Sequence, residues 1–236
     1  MLAEQAQQAG WAAFDGGREA DATALYQDSY AAAAEAGDTA LAGNALAFLA
    51  YQTVSGDRHA GVEIAARSCE TIGLDTPAGV RALLHERKAW ACAVAGLLSE
   101  TERALHDANA ALNDVGGSPQ PDWVAWVDHT ELKIMSGRCW TELNRPLRAV
   151  PQLENALEQY DDSHARDKAL YLSWLADSYL CAGEIEQAAA VADRALDLCD
   201  GVASVRPRRR LTPFLKRLDG HRGVSAVATL LEKAAG

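Results

Sequence analysis

The chain has 236 residues, 49% of them hydrophobic but only 6% aromatic, and its 22 basic side chains face 33 acidic ones for a formal net charge of −11. An alanine-rich, aromatic-poor composition suits closely packed helices and offers little for β-sheet, and the negative charge repels phosphate backbones, so no direct nucleic-acid contact is expected. No apolar run of about 18 residues and no basic-apolar-small leader occurs, so neither a membrane span nor a signal peptide is expected, and the location is read as cytoplasmic.

In chain order, Leu2 to Phe14 reads as the first helix, Gly16-Gly17 as a turn, and Arg18 to Ala36 as the second helix, ended by Gly37-Asp38. The sequence enters inside a helix pair without a polar capping segment, so something N-terminal is expected to have been removed or never built. Helices follow at about 39–54 and 58–72. Thr76 is expected to cap a long helix whose first position is Pro77 and which runs to about Leu98, with Ser99 capping the next, to about Asn113. Asp114 to Pro121 has the richest turn chemistry and reads as a hinge or protease-sensitive loop.

Asp122 to Leu143 is expected as one helix carrying Trp123, Trp126 and Trp140, which fit a core better than a ligand platform. Pro151 lies five residues into its partner helix and predicts a kink there. Arg166 to Asp200 reads as two antiparallel helices joined at Gly183, and Val205 to Leu218 with Val224 to Ala234 as a final pair. The segment Arg206 to Arg222 holds seven basic residues and one acid, about +6 against about −17 elsewhere. Two readings stand for it: a solvated, helix-capping basic face, or an intramolecular or DNA-facing contact.

The helix pairs repeat. In the pair from Arg166 to Asp200, Ala176 is followed by Tyr179, Gly183, Ala188, Ala192 and Ala195, at offsets of three, seven, twelve, sixteen and nineteen. The offsets of twelve, sixteen and nineteen recur from Gly137 (Ala149, Leu153, Ala156), Cys92 (Ala104, Ala108, Ala111), Ala50 (Val62, Ala66, Cys69) and Gly10 (Ala22, Tyr26, Ser29). Small residues so placed let two helices cross closely. This pattern resembles the tetratricopeptide repeat, although the spacings of 40, 42, 45 and 39 residues exceed the roughly 34 of the standard unit. The expected fold is one all-α domain, a right-handed superhelical solenoid of five to six antiparallel helix pairs at about 2–36, 39–72, 77–113, 122–160 and 166–200, with a capping pair at 205–235.

The sequence offers no catalytic constellation. No phosphate-binding glycine loop, nucleophile elbow or HExxH occurs. The six histidines lie in six separate helices or turns, so no zinc site is expected. The five cysteines are odd in number and contain no CxxC pair; they read as small buried residues of a reducing compartment. The chain is read as a non-enzyme without metal or cofactor.

A solenoid of this kind does offer a surface. First-helix positions at offsets −6, +1 and +4 from each anchor line its concave face. Offset −6 gives Glu4, Asn44, Glu86, Glu131 and Leu170; offset +1 gives Trp11, Tyr51, Ala93, Arg138 and Asp177; offset +4 gives Phe14, Val54, Gly96, Thr141 and Leu180. The candidate ligand-binding residues are therefore Glu4, Trp11, Phe14, Asn44, Tyr51, Glu86, Glu131, Arg138 and Asp177, an acidic groove with an aromatic patch toward its N-terminal end. Asn44 stands out because an amide there can both donate to and accept from a peptide backbone.

Three blocks carry a narrower likeness: AGWAAFDGGREADATALYQDSYAAAAEAGD, PDWVAWVDHTELKIMSGRCWTELNRPLRAV, and YLSWLADSYLCAGEIEQAAAVADRALDL with the following GVASVRPRRRLTPFLKRLDGHRGVSAV. Together they resemble the C-terminal repeat region of large actinobacterial helix-turn-helix transcriptional regulators. That resemblance implies a regulatory array that senses a peptide, small molecule or partner and mediates homodimerisation, here without the family's DNA-binding domain. The alternative, from another class, is a constitutive protein–protein interaction scaffold with no soluble ligand.

Overall fold

A computed structural model describes residues 1–114 and 119–235. They are all helical, and no strand occurs among the described residues: α1 (Leu2–Asp15), α2 (Glu19–Glu35), α3 (Thr39–Thr53), α4 (Arg58–Glu70), α5 (Ala78–Val94), α6 (Leu98–Leu112), α7 (His129–Glu142), α8 (Pro146–Leu157), α9 (Ala165–Ala182), α10 (Ile185–Cys199), α11 (Arg206–Leu218) and α12 (Ser225–Ala235). Short 3₁₀ turns stand at Asp122–Val124, Asp162–His164 and Asp219–His221. Neighbouring helices pack in pairs, α1 with α2, α3 with α4, α5 with α6 and α9 with α10. The chain divides into two compact units, Met1–Met135 and Ser136–Gly236.

Small residues make the pairing possible. A Cβ added at Gly10 would lie 2.5 Å from Cε1 of Tyr26, and one added at Gly137 would lie 2.5 Å from Cγ of Leu153. Both partners stand sixteen residues further on, so α1 crosses α2 and α7 crosses α8 at backbone-to-side-chain contact. The second helices meet these crossings with fully buried positions: Ala22, Tyr26 and Ser29 on α2, Ala149, Leu153 and Ala156 on α8, and Ala188, Ala192 and Ala195 on α10.

Four of the five turns within a helix pair share one anatomy. Gly17 (φ 78°), Gly96 (φ 78°), Asn144 (φ 54°) and Gly183 (φ 84°) take the left-handed conformation that glycine and asparagine tolerate. The next N–H then donates back across the helix end: Arg18 to the Ala13 carbonyl (2.8 Å), Leu97 to Cys92 (2.9 Å), Arg145 to Trp140 (2.8 Å) and Glu184 to Tyr179 (3.0 Å), the Schellman closure.

Turn geometry sets the repeat register in two pairs. Measured back from Gly96, the residue equivalent to Gly10, Gly137 and Ala176 in the third pair is Ala89, not Cys92. In the second pair no left-handed residue is used; the Asp57 N–H donates to the Thr53 carbonyl at 2.8 Å, and the Asp57 carboxylate caps α4 by accepting from the Ala60 N–H at 3.0 Å. That turn is one residue shorter, so α4 buries Gly61, Ala65 and Ser68 where Val62, Ala66 and Cys69 were expected, and these three are only half-buried. The corrected anchors, Gly10, Ala50, Ala89, Gly137 and Ala176, are spaced by 40, 39, 48 and 39 residues.

The long interval holds the largest departures from the sequence reading. Asp122 does not begin a continuous helix. A 3₁₀ turn and a loop precede α7, which starts at His129 because the Asp128 carboxylate accepts from the Thr130 and Glu131 N–H groups, each at 2.8 Å. Thr76 does not cap α5; its hydroxyl accepts from the Gly73 N–H, and the Gly79 N–H of the first turn instead donates to the Gln120 side chain at 2.9 Å. Ser99 lies inside α6. Of the expected hinge, residues 115–118 lie outside the described residues.

Gly137→Val should lower stability by about 1–3 kcal/mol through overpacking against Leu153, whereas Gly201→Ala, where an added Cβ meets nothing within 4 Å, should stay within about 0.5 kcal/mol. Urea unfolding of both variants checks this.

Candidate functional site

In the unit Met1–Met135, the corrected register places Trp11, Tyr51 and Trp90 at the same position of α1, α3 and α5. Their rings form a row: centroids of Trp11 and Tyr51 are 6.4 Å apart, and those of Tyr51 and Trp90 are 5.9 Å apart. Phe14 meets Trp11 at 5.8 Å and Tyr51 edge-on at 5.9 Å, and Phe48 backs Trp11 at 5.4 Å while stacking on the buried Tyr26 at 4.8 Å. Trp11, Phe14 and Tyr51 remain half-exposed, whereas Trp90 is buried. The Arg87 guanidinium sits 5.6 Å from the centroid of Tyr51 and 5.8 Å from that of Trp126, an indole 48% exposed whose Nε1–H donates to the Trp123 carbonyl.

Beside the row lies a polar network that spans three helices. Asn44 Nδ2 donates to Gln7 Oε1 at 2.7 Å, Gln7 Nε2 donates to the Ser29 hydroxyl (3.0 Å) and the Leu41 carbonyl (2.9 Å), and the Ser29 hydroxyl donates to the Ala3 carbonyl (2.8 Å). All three side chains are buried. Asn44 thus ties α3 to α1, with one of its amide donors engaged inside the unit. Glu4 is half-buried on α1; Glu86, 1% exposed, and Glu131 are buried.

In the unit Ser136–Gly236, Arg138 and Asp177 are buried as well. The Arg138 guanidinium lies 4.2 Å from the Trp174 ring centroid, with Arg210 at 5.2 Å, and the Trp174 Nε1–H donates to Glu142 at 3.1 Å. Asp177 accepts from Arg210 at 2.6 Å and from Arg217. These two bonds fasten α11 to α9. With Arg208 on Asp200 (2.5 Å) and Arg222 on Asp219 (2.7 Å), they give the basic segment partners within its own unit. The unit Ser136–Gly236 holds 14 basic and 14 acidic side chains and is neutral; Met1–Met135 holds 8 basic and 19 acidic and carries the whole −11.

Burial shifts several of the thiols and one histidine. The Cys92 thiol is pushed up to about 11 by burial, and Cys69 and Cys199 are raised for the same reason. Burial lowers His85 despite the Asp107 carboxylate 4.0 Å away. Tyr179 is pushed up to about 12, first by burial and then by its hydrogen bond to Glu154. Among the described residues no group of three or more His, Cys, Asp or Glu side chains is placed to hold a metal, and no helix is long and apolar enough to cross a membrane.

The structure therefore brings together Trp11, Phe14 and Tyr51 from the sequence-derived set. It commits Asn44 and Asp177 to internal bonds and stacks Arg138 on Trp174. Trp90 was missed because the Cys92 anchor put Ala93 in the row; the signal that finds it is Gly96, which marks the turn. Arg87, two residues before the corrected anchor, lies at none of the offsets that the repeat assigns to the face. Compared with known proteins, the chain matches no family model, no curated sequence and no solved structure.

Asp177→Asn should weaken the hold on Arg210 and Arg217 and lower stability by about 1–3 kcal/mol, seen as a lower urea midpoint. In native labelling at pH 8, Cys181, the exposed thiol, should be alkylated first, with Cys92 protected until unfolding. Mass spectrometry of the alkylated peptides gives the order.

Proposed function

We propose that the chain is a tetratricopeptide-like, right-handed solenoid that binds an extended peptide segment of a ligand or partner along the first-helix face of its N-terminal pairs. In this reading it serves in the cytoplasm as the ligand-sensing and dimerisation part of a transcriptional regulator. The observation that carries it is the aromatic row. A helix pair needs only small residues at its crossing, yet three successive first helices each place an aromatic ring at the equivalent position beside that crossing, and two of the three rings stay half-exposed. Aromatic rings supply large contact area at low conformational cost and are the usual anchors of recognition surfaces.

The polar network supports the same reading in a different way. Gln7, Ser29 and Asn44 fix α1, α2 and α3 against one another, so the rings are held in place before any ligand arrives, which reduces the ordering cost of binding. A ligand that prefers one spacing of the repeats shifts the array toward it and thereby signals to attached domains.

Selection of a random dodecapeptide display library on the full chain tests the proposal. Enriched peptides should lose affinity by about tenfold when Trp11 and Tyr51 are both changed to Leu, with the melting curve of the variant confirming that it is folded. Failure to enrich any peptide, or enrichment that the double variant leaves intact, contradicts it.

A further inference from the structure

Resting on the peptide-binding reading above, we infer that the aromatic row selects a basic peptide, one whose arginine side chains pack against the half-exposed rings of Trp11 and Tyr51. Two independent observations point there. The first is charge. The entire −11 of the protein belongs to the unit that carries the row, and the other unit is neutral, so an approaching cation is drawn to this half of the chain and an anion repelled from it.

The second is that the row already accepts a guanidinium. Arg87 lies over Tyr51 and against Trp126 at 5.6 and 5.8 Å, within the distance at which an aromatic quadrupole attracts a cation. The protein's own side chain shows the chemistry that the neighbouring, half-exposed Trp11 face offers to a ligand. Acidic peptides meet the opposite situation: they approach an acidic unit and find ring faces, whose negative potential repels them. An aliphatic peptide gains burial but leaves the charge of the unit unused. Arginine satisfies both the rings and the charge, and its weakly hydrated plane loses less on leaving water than an ammonium does.

The test uses the full chain and three fluorescein-labelled nonapeptides of alternating alanine with arginine, glutamine or glutamate, titrated by fluorescence anisotropy at 0.15 M salt, where long-range attraction is screened. The arginine peptide should bind at least about fivefold more tightly than the glutamine one, with the glutamate peptide weakest. Tyr51→Leu and Trp11→Leu, which keep the net charge and an apolar side chain but remove the ring, should each remove most of that preference. If the preference survives both substitutions, it is diffuse electrostatics and the row is not the arginine site. If the three peptides bind alike, or the acidic one binds best, the charge selectivity is wrong while peptide binding stands. If none binds, the peptide-binding reading falls with it.

Discussion

Everything else in this molecule depends on helices that approach one another closely because their crossings contain almost no side chain. At Gly10 and Gly137 there is no room even for a methyl group, and the facing helices present fully buried alanines, with one larger residue, Tyr26 or Leu153, filling the remaining space. Alanine contributes little apolar area per residue, so stability comes from many short contacts distributed along the chain rather than from one large core. The same economy frees the bulky residues. The chain has six tryptophans and three phenylalanines, and several of them stand on the surface of the first helices instead of inside.

Polar groups then do the positioning that a thick apolar core would otherwise do. In the first unit the buried Gln7, Ser29 and Asn44 chain connects three helices through directional bonds, which specify one relative placement because any slip leaves a buried amide unsatisfied. In the second unit Asp177 receives two arginines from α11 and thereby converts a segment that looks strongly cationic in the sequence into part of a neutral body. Both devices use residues that the repeat pattern assigned to a ligand. Asn44 and Asp177 are buried, and their bonds are directed inward.

The all-helical architecture and the pairing of adjacent helices were legible in the sequence because they rest on short-range signals: helical periodicity, glycine at the turns, and alanine at fixed offsets. What was not legible had two physical sources. A one-residue shorter turn before α4 moves the buried face of that helix, and the left-handed Gly96 places the third anchor at Ala89, where the offsets of twelve, sixteen and nineteen had placed it at Cys92. The start of α7 was decided by a single capping carboxylate, Asp128, where the sequence reading had begun the helix at Asp122. Trp11, Phe14 and Tyr51 were found from sequence because the anchors Gly10 and Ala50 hold; Trp90 was not, because its anchor is Ala89.

The measurement that bears most directly on this account is a double-mutant cycle in urea between Tyr51→Leu and Trp90→Leu. The two residues belong to one surface only if Ala89, not Cys92, anchors the third pair, which puts their rings 5.9 Å apart. The account predicts a favourable coupling of about 0.5–1.5 kcal/mol. Additive effects of the two substitutions would mean that the rings do not meet, and would contradict both the register and the aromatic row built on it.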